Sequence, residues 1–213
     1  FPRANFDEDR VTDYLRYAAA QGRAMELSTR GLRQATWPED ATPMLSVEGL
    51  RKGELHQLIR SEPRFSELDI GLVNGLESCV VSGDPVTLSA LAKQLDELIT
   101  RKSDQSGPLF VAGRPFRPNE LHTTFLPVSA PFHSRAMRTG QELPFDVDRL
   151  KMPVFSCFDG RDLRKSSDLA RDVVRSQFSH AVDWPAACRA MKDYADIRTV
   201  LDVGPGEFTC KMT

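Results

Sequence analysis

Apolar residues near the start of the chain recur at the spacing of a helix. Between residues 9 and 27 they fall near one face of a 3.6-residue repeat. The members of this face are Val11, Tyr14, Leu15, Ala18, Ala19 and Met25. The pattern predicts one amphipathic helix, followed by a polar loop around Gly31 and Pro38. We expect residues 1–42 to form a helical part of a larger core.

The next segment changes to short apolar runs separated by helical stretches. The runs predict strands at 44–47, 68–73, 78–81 and 122–128, with helices at 52–60 and 84–99. Asp84 and Pro85 suit the N-cap and first position of the second helix. Asn74 and Gly75 suit a tight turn between the middle strands. The order β-α-β-β-α-β is ferredoxin-like, so we expect residues 43–128 to form a small inserted subdomain.

The last third of the chain alternates helices with strands. We expect a helix after His133, helices at 168–178 and 184–194, and strands at 153–158 and 199–203. Such alternation is typical of a mostly parallel sheet. The predicted fold class is therefore α/β, and residues 129–213 would complete the core that residues 1–42 begin.

The composition is that of an ordinary globular protein, with 40% apolar and 27% charged residues. A net charge of -2 gives no broad basic field for nucleic acid or an anionic membrane. No apolar run reaches the roughly 18 residues of a membrane span. The polar, acidic start is not typical of a signal peptide. Because residue 1 is Phe rather than Met, we expect a piece of a longer chain.

The four cysteines, at positions 79, 157, 188 and 210, form no C-x-x-C pair and have no histidine at zinc-finger spacing. We expect no metal site. Reduced thiols, buried as small hydrophobic groups, favour a cytoplasmic protein.

One of the four histidines stands out by its context. His133 follows a strand and a turn built by Pro131, which is where α/β folds place ligands and catalytic groups. His56, His122 and His180 lie in contexts that favour structural or solvated roles. From position alone, a catalytic and a structural role for His133 are equally open.

The sequence around His133 resembles a known catalytic segment. The run Pro127-Val-Ser-Ala-Pro-Phe-His133-Ser-Arg-Ala-Met137 is similar to the histidine segment of the malonyl/acetyl acyl-carrier-protein transacylases. Further landmarks of this acyltransferase family follow one another in order: Gln21 to Met25, Val73 to Gly75, Val80 to Gly83, Val154 to Asp159, Val182 to Trp184 and Asp202 to Gly206. Within the family, the chain most resembles the acetyltransferase domain of the fungal-type fatty acid synthase β subunit. The starter-unit acyltransferases of fungal polyketide synthases come next.

The resemblance implies an α/β-hydrolase-like core and a ping-pong reaction. A serine on a Gly-x-Ser-x-Gly elbow attacks an acyl-CoA thioester, with histidine as its base. The acyl group then moves to the phosphopantetheine thiol of an acyl carrier protein. By resemblance His133 is this base, and a backbone carbonyl holds its other ring nitrogen. The resemblance also implies a large synthase complex, with no covalently bound cofactor.

The chain departs from the family at the nucleophile. No Gly-x-Ser-x-Gly occurs in the 213 residues; Gly71 and Gly75 have the spacing but enclose Val73. We expect the elbow to lie upstream of the aligned start, so the core sheet here would be incomplete. Ser134 adjoins His133, but neighbouring side chains at a helix start diverge, so it is a poor replacement.

Gln21 is the expected specificity position. Malonyl-specific members carry Arg at the matching place, where its guanidinium can hold the free carboxylate. A neutral Gln favours an uncharged group such as acetyl. The alternative is a register in which Gln21 is an ordinary helix residue and Arg23 faces the pocket.

Five further positions are expected at the substrate or at the carrier protein. Phe132 would lie beside the acyl α-carbon, or be a core aromatic. Asn74 and Gln177 would order the pocket by amide hydrogen bonds, or be turn and helix-surface residues. Arg114 and Arg117 form a basic loop that could meet an acidic carrier or CoA phosphates, or remain solvated.

Two classes of function remain open from the sequence. One is an acetyl-type transferase, with malonyl/palmitoyl or polyketide starter transfer as variants. The other is a non-catalytic acyltransferase-like scaffold that docks a carrier protein.

Overall fold

The computed structural model describes residues 8–32, 37–100, 109–111, 114–116, 121–137 and 150–203. Within these residues the helices are α1 (Glu8–Leu32), α2 (Lys52–Ser61), α3 (Pro85–Thr100), α4 (Leu169–Phe178) and α5 (Trp184–Tyr194). The strands are β1 (Met44–Glu48), β2 (Asp69–Gly75), β3 (Ser78–Ser82), β4 (Leu109–Val111), β5 (Arg114–Phe116), β6 (His122–Phe125) and β7 (Val182–Asp183). None of the helices in these ranges is both long and apolar enough to cross a membrane.

The expected ferredoxin-like arrangement is confirmed by the strand order. The main sheet runs β6-β1-β3-β2, and each of these neighbours pairs antiparallel. Helix α2 connects β1 to β2, and α3 connects β3 to β6. Each connection therefore skips one strand, which is the split β-α-β arrangement. Strand β7 then adds in parallel to β2, so the later part of the chain extends the same sheet.

The core of this sheet follows from the helical repeat of α3. Leu88, Leu91 and Leu95 recur every three or four residues and are fully buried. They belong to the same apolar cluster as Leu45 and Val47 of β1. Burying each leucine stabilises the fold by about 1.5–3 kcal/mol.

The start of α3 is fixed as its sequence predicts. The Asp84 carboxylate accepts hydrogen bonds from the Thr87 backbone N–H at 3.0 Å and from the Thr87 hydroxyl at 3.1 Å. Because the first turn of a helix leaves backbone N–H groups unpaired, this cap satisfies one of them and holds the helix origin.

Strand β2 contains two extra residues that its sequence did not reveal. Its pairing with β3 shifts once between Ile70 and Leu72 and again between Val73 and Gly75. Gly71 and Asn74 are the residues left over, as in β-bulges. The predicted turn at Asn74 and Gly75 is wrong: the strand continues through Gly75, which pairs with Ser78, and residues 76–77 make the turn.

The predicted strand at 153–158 is wrong. Only Phe155 makes a bridge, to Asp162, because the chain reverses between them. The Gly160 N–H donates to the Ser156 carbonyl at 2.9 Å, and Gly160 has a φ of 73°. A glycine that adopts this left-handed conformation closes a turn where the apolar run predicted a strand.

The predicted strand at 199–203 is also absent. These residues pair with no described strand, and Leu201 and Val203 are 83% and 88% exposed. An apolar strand of a parallel sheet needs hydrogen-bonded neighbours on both sides, and the described residues supply none here.

The loop predicted between α3 and β6 contains the small hairpin β4–β5. The helix predicted after His133 is, where described, a single 3-10 turn, Arg135–Met137. Short turns of this kind carry little periodicity, so sequence patterns detect them poorly.

The core assignment predicts a large loss of stability on truncating α3. We expect Leu91→Ala to lower the free energy of unfolding by about 2–5 kcal/mol because it leaves a cavity. The matched control is Leu76→Ala, since Leu76 is 72% exposed in the β2–β3 turn. Chemical denaturation measures both. Equal losses for the two variants would contradict the assigned core.

Candidate active site

His133 lies in a tight loop between β6 and the 3-10 turn. The Phe132 N–H donates to the Ala130 carbonyl at 2.9 Å, and the Ser134 hydroxyl donates to the Pro131 carbonyl at 2.6 Å. His133 itself has a φ of 59°, in the left-handed region. This conformation costs a residue with a Cβ about 1–2 kcal/mol, and such strain clusters at functional sites.

The imidazole of His133 is fixed through one of its two nitrogens. Nδ1 lies 2.9 Å from the backbone carbonyl oxygen of His180. A carbonyl only accepts hydrogen bonds, so Nδ1 carries the proton and Nε2 keeps its lone pair. Burial lowers the pKa of His133 below its usual 6.5, partly offset by the His180 hydrogen bond, which raises it. The ring is therefore a neutral base with one orientation.

The carbonyl that holds His133 is itself positioned by packing. The ring of His180 stacks on Phe158, with 4.4 Å between centroids and 37° between planes. Phe158 lies in the turn that replaces the predicted strand at 153–158. The preceding Cys157 carbonyl accepts a hydrogen bond from the Asp183 N–H at 2.6 Å. The turn, His180 and the start of β7 thus support one another.

A second set of contacts ties the histidine loop to β2. The Arg135 backbone N–H and Nε both donate to the Asp69 carboxylate, at 2.8 and 3.0 Å. A terminal guanidinium nitrogen of Arg135 donates to the Ser66 carbonyl at 2.7 Å. Because Asp69 opens β2, this ion pair anchors the loop two residues beyond His133.

Helix α1 covers the other side of the loop. The Thr29 hydroxyl donates to the Ser129 carbonyl at 2.7 Å. Met25 and Phe132 pack against a cluster of Ala130, Met137 and Phe178. Phe132 therefore makes the contacts expected of a core aromatic residue. Its expected place beside the acyl α-carbon stays a prediction.

Gln21 is turned into the protein from α1. It is 5% exposed, and neither amide atom has a hydrogen-bond partner among the described residues. Arg23, two residues on, is exposed. Which of the two side chains faces the substrate stays a prediction. A buried carboxamide without partners costs free energy unless a ligand or water satisfies it.

The structure joins Gln177 to α1 through a residue that the sequence did not single out. The Tyr17 hydroxyl donates to Gln177 Oε1 at 2.7 Å. Tyr17 lies one helical turn before Gln21, so the two share a face of α1. Gln177 is thus ordered by a partner, whereas Asn74 is an extra residue of β2 with a partly buried side chain.

None of the described groups that we considered as nucleophiles is activated. The Ser134 hydroxyl is committed to the Pro131 carbonyl. Burial raises the pKa of Cys79 to about 11 and also raises the pKa values of Cys157 and Cys188. These thiols therefore remain protonated near neutral pH.

Some predicted positions fall outside the described residues. Arg117 and the Gly204 to Gly206 turn are among them, and for Arg114 only the backbone, in β5, is described. Sequence reasoning missed Tyr17 and His180. His180 acts through its backbone, which gives no side-chain signal.

No family model matches the chain. The fold is shared with solved acyltransferases. The acyltransferase domain of the second module of the salinomycin polyketide synthase aligns with a TM-score of 0.63 at 23% identity, covering 94% of this chain and 40% of that one. The malonyl CoA-acyl carrier protein transacylase of Clostridium perfringens aligns with a TM-score of 0.67 at 16% identity, covering 94% of this chain and 55% of that one.

A curated relative adds the sequence relationship. The fatty acid synthase subunit β of Gibberella zeae is 35% identical over 172 residues, which is 78% of this chain. The match spans 8% of that relative's length. The chain is therefore a homologue of a segment of the fungal fatty acid synthase β subunit, and it shares the fold of solved acyltransferases.

Proposed function

We propose that this chain supplies the general base of an acyltransferase that moves a small acyl group from CoA to the phosphopantetheine thiol of an acyl carrier protein. The hydrogen bond between His133 Nδ1 and the His180 carbonyl carries the proposal. It leaves Nε2 as the proton acceptor on a half-buried, neutral ring. The setting is fatty acid synthesis, as the name of the fungal relative suggests, within a large synthase.

The serine nucleophile comes from outside these 213 residues. The chain has no Gly-x-Ser-x-Gly, and the thiols and the Ser134 hydroxyl are inactive for the reasons given above. The exposed apolar segment at 199–203 fits the same proposal. It would pair with the strand that carries the serine elbow and complete a parallel sheet.

The reaction runs in two halves at His133. Nε2 takes the serine proton as the hydroxyl attacks the thioester carbon, and the imidazolium then protonates the departing CoA thiolate. In the second half the pantetheine thiol gives its proton to Nε2 and attacks the acyl-serine ester. The imidazolium returns a proton to the serine oxygen as that bond breaks. No metal or covalently bound cofactor enters these steps.

Gln21 supports a neutral acyl group. The free carboxylate of a malonyl group would face a buried carboxamide that carries no charge. Leaving such a carboxylate unpaired costs several kcal/mol, on the order of 3–5. An acetyl group brings no charge, and the Gln21 amide can hydrogen-bond its carbonyl. Phe132, Asn74 and Gln177 complete the substrate pocket.

The first prediction concerns the base. In the complete protein, His133→Gln should lower acyl transfer from acetyl-CoA to the carrier thiol by about 10²–10⁴-fold, because the variant cannot accept the serine proton. His122→Gln is the matched control, since His122 is exposed on β6. Radiolabelled acetyl transfer measures both. Equal transfer in wild type and His133→Gln would remove His133 as the base, and no transfer by the wild type would favour a carrier-docking scaffold.

The second prediction concerns protonation. Burial lowers the pKa of His133, so its ring should titrate below the usual imidazole value of 6.5. The neutral ring is the active form, so kcat/KM should fall only as pH drops below this value. Nitrogen-15 NMR, assigned with His133→Gln, should show the proton on Nδ1 in the neutral form. A proton on Nε2, or a midpoint above 6.5, would contradict the assignment.

The third prediction concerns acyl choice. Gln21→Arg should raise the ratio of malonyl to acetyl loading by about tenfold or more, because the guanidinium pairs with the malonyl carboxylate. Arg23→Gln is the control, since Arg23 is exposed and should leave the ratio unchanged. Competition between the two CoA esters measures the ratio. Wild-type loading from malonyl-CoA that matches loading from acetyl-CoA would overturn the neutral-acyl proposal.

A further inference from the structure

Gly71 is the residue at which strand β2 touches the histidine loop. A Cβ added to Gly71 would lie 2.6 Å from the Ser82 hydroxyl oxygen, 3.1 Å from the Phe132 carbonyl oxygen and 3.3 Å from His133 Cβ. The first distance is a collision, and the other two are tighter than ordinary van der Waals contacts. The loop that carries the base therefore rests directly on the backbone of β2.

Glycine is required at position 71 because a side chain would not fit there. The φ of Gly71 lies outside the left-handed region, so a larger residue would meet no backbone strain. Gly71 is instead the extra residue between Ile70 and Leu72, which pair with the adjacent Val81 and Val80. A bulge bends its strand and alters where it points, and bulges recur beside active sites.

The neighbours of Gly71 differ in how far they can yield. Ser82 is fully buried, and its hydroxyl has no hydrogen-bond partner among the described residues. It lies on β3, which is paired on both sides, to β1 and β2. The histidine loop has no such strand pairing and is held by individual contacts to Asp69, Ser66, Thr29 and His180. An added methyl would therefore displace the loop more easily than the sheet.

Displacing the loop would move the base. His133 Cβ is one of the three contacts, and the imidazole reaches the His180 carbonyl from that atom. A shift of a few tenths of an ångström would lengthen the Nδ1 hydrogen bond and turn Nε2 away from the serine. Proton transfer depends steeply on such alignment.

We propose that Gly71 is a positioning residue for His133, and that the β-bulge at Gly71 sets the distance between β2 and the loop that carries the base. The inference rests on the proposed role of His133 as base. Gly71 touches no substrate in this account and acts only through the loop. Ser82 is the opposite wall of the gap that glycine leaves open.

The test begins with Gly71→Ala in the complete protein. We expect kcat to fall by about tenfold or more, because the displaced loop moves the base. The control is Gly75→Ala on the same strand, whose added Cβ would meet only Ser78 Cβ at 3.8 Å. It should keep kcat within about twofold of wild type.

A double variant separates positioning from general destabilisation. Ser82→Ala removes the oxygen in the 2.6 Å collision but leaves the two contacts to the loop. Gly71→Ala/Ser82→Ala should therefore melt within about 3 °C of Ser82→Ala. Its kcat should remain about fivefold or more below that of Ser82→Ala. If the kcat of the double variant instead equals that of Ser82→Ala, Gly71 is only a packing residue and the proposal is overturned.

A measurement that needs no enzymatic activity tests the positioning role of Gly71 separately from the proposed acyltransferase function. In Gly71→Ala, nitrogen-15 NMR of His133 should show a weaker Nδ1 hydrogen bond, and Gly75→Ala should leave that signal unchanged. An unchanged His133 signal in Gly71→Ala would overturn the positioning role, whatever reaction the protein performs. A changed signal in a protein that transfers no acyl group would overturn the proposed function while keeping the contact.

Discussion

The hydrogen bond from His133 Nδ1 to the His180 carbonyl is the contact on which the account depends. A carbonyl cannot donate, so this single contact fixes both the tautomer and the orientation of the ring. An acidic partner would favour the imidazolium, whereas a neutral carbonyl together with burial lowers the pKa of the ring. The site therefore holds a neutral base without a carboxylate.

The rest of the described fold serves to keep this contact in place. The ferredoxin-like sheet provides β2, whose first bulge supports the loop at Gly71 and whose first residue, Asp69, holds Arg135. Helix α1 closes the loop from the opposite side through Thr29. Left-handed backbone at His133 is tolerated because all of these contacts act on one short segment.

The sequence predicted what depends on local pattern. The leucine stripe of α3, the cap at Asp84 and the strand order followed from spacing and turn chemistry. The sequence-based prediction failed where residues distant in the chain determine the local structure. The apolar run at 153–158 folds into a turn closed by Gly160, which lies against the backbone of Ala186 in α5, and the run at 199–203 has no described strand beside it. His180 acts through its backbone, so no side-chain pattern could reveal it.

The central claim is that His133 accepts the serine proton in the first half-reaction. The most direct test follows the mass of the acyl-enzyme in the complete protein after rapid mixing with acetyl-CoA. We expect wild type to gain one acetyl group and His133→Ala to form this species about 10²–10⁴-fold more slowly. Acetylation at an unchanged rate in His133→Ala would remove His133 from the mechanism.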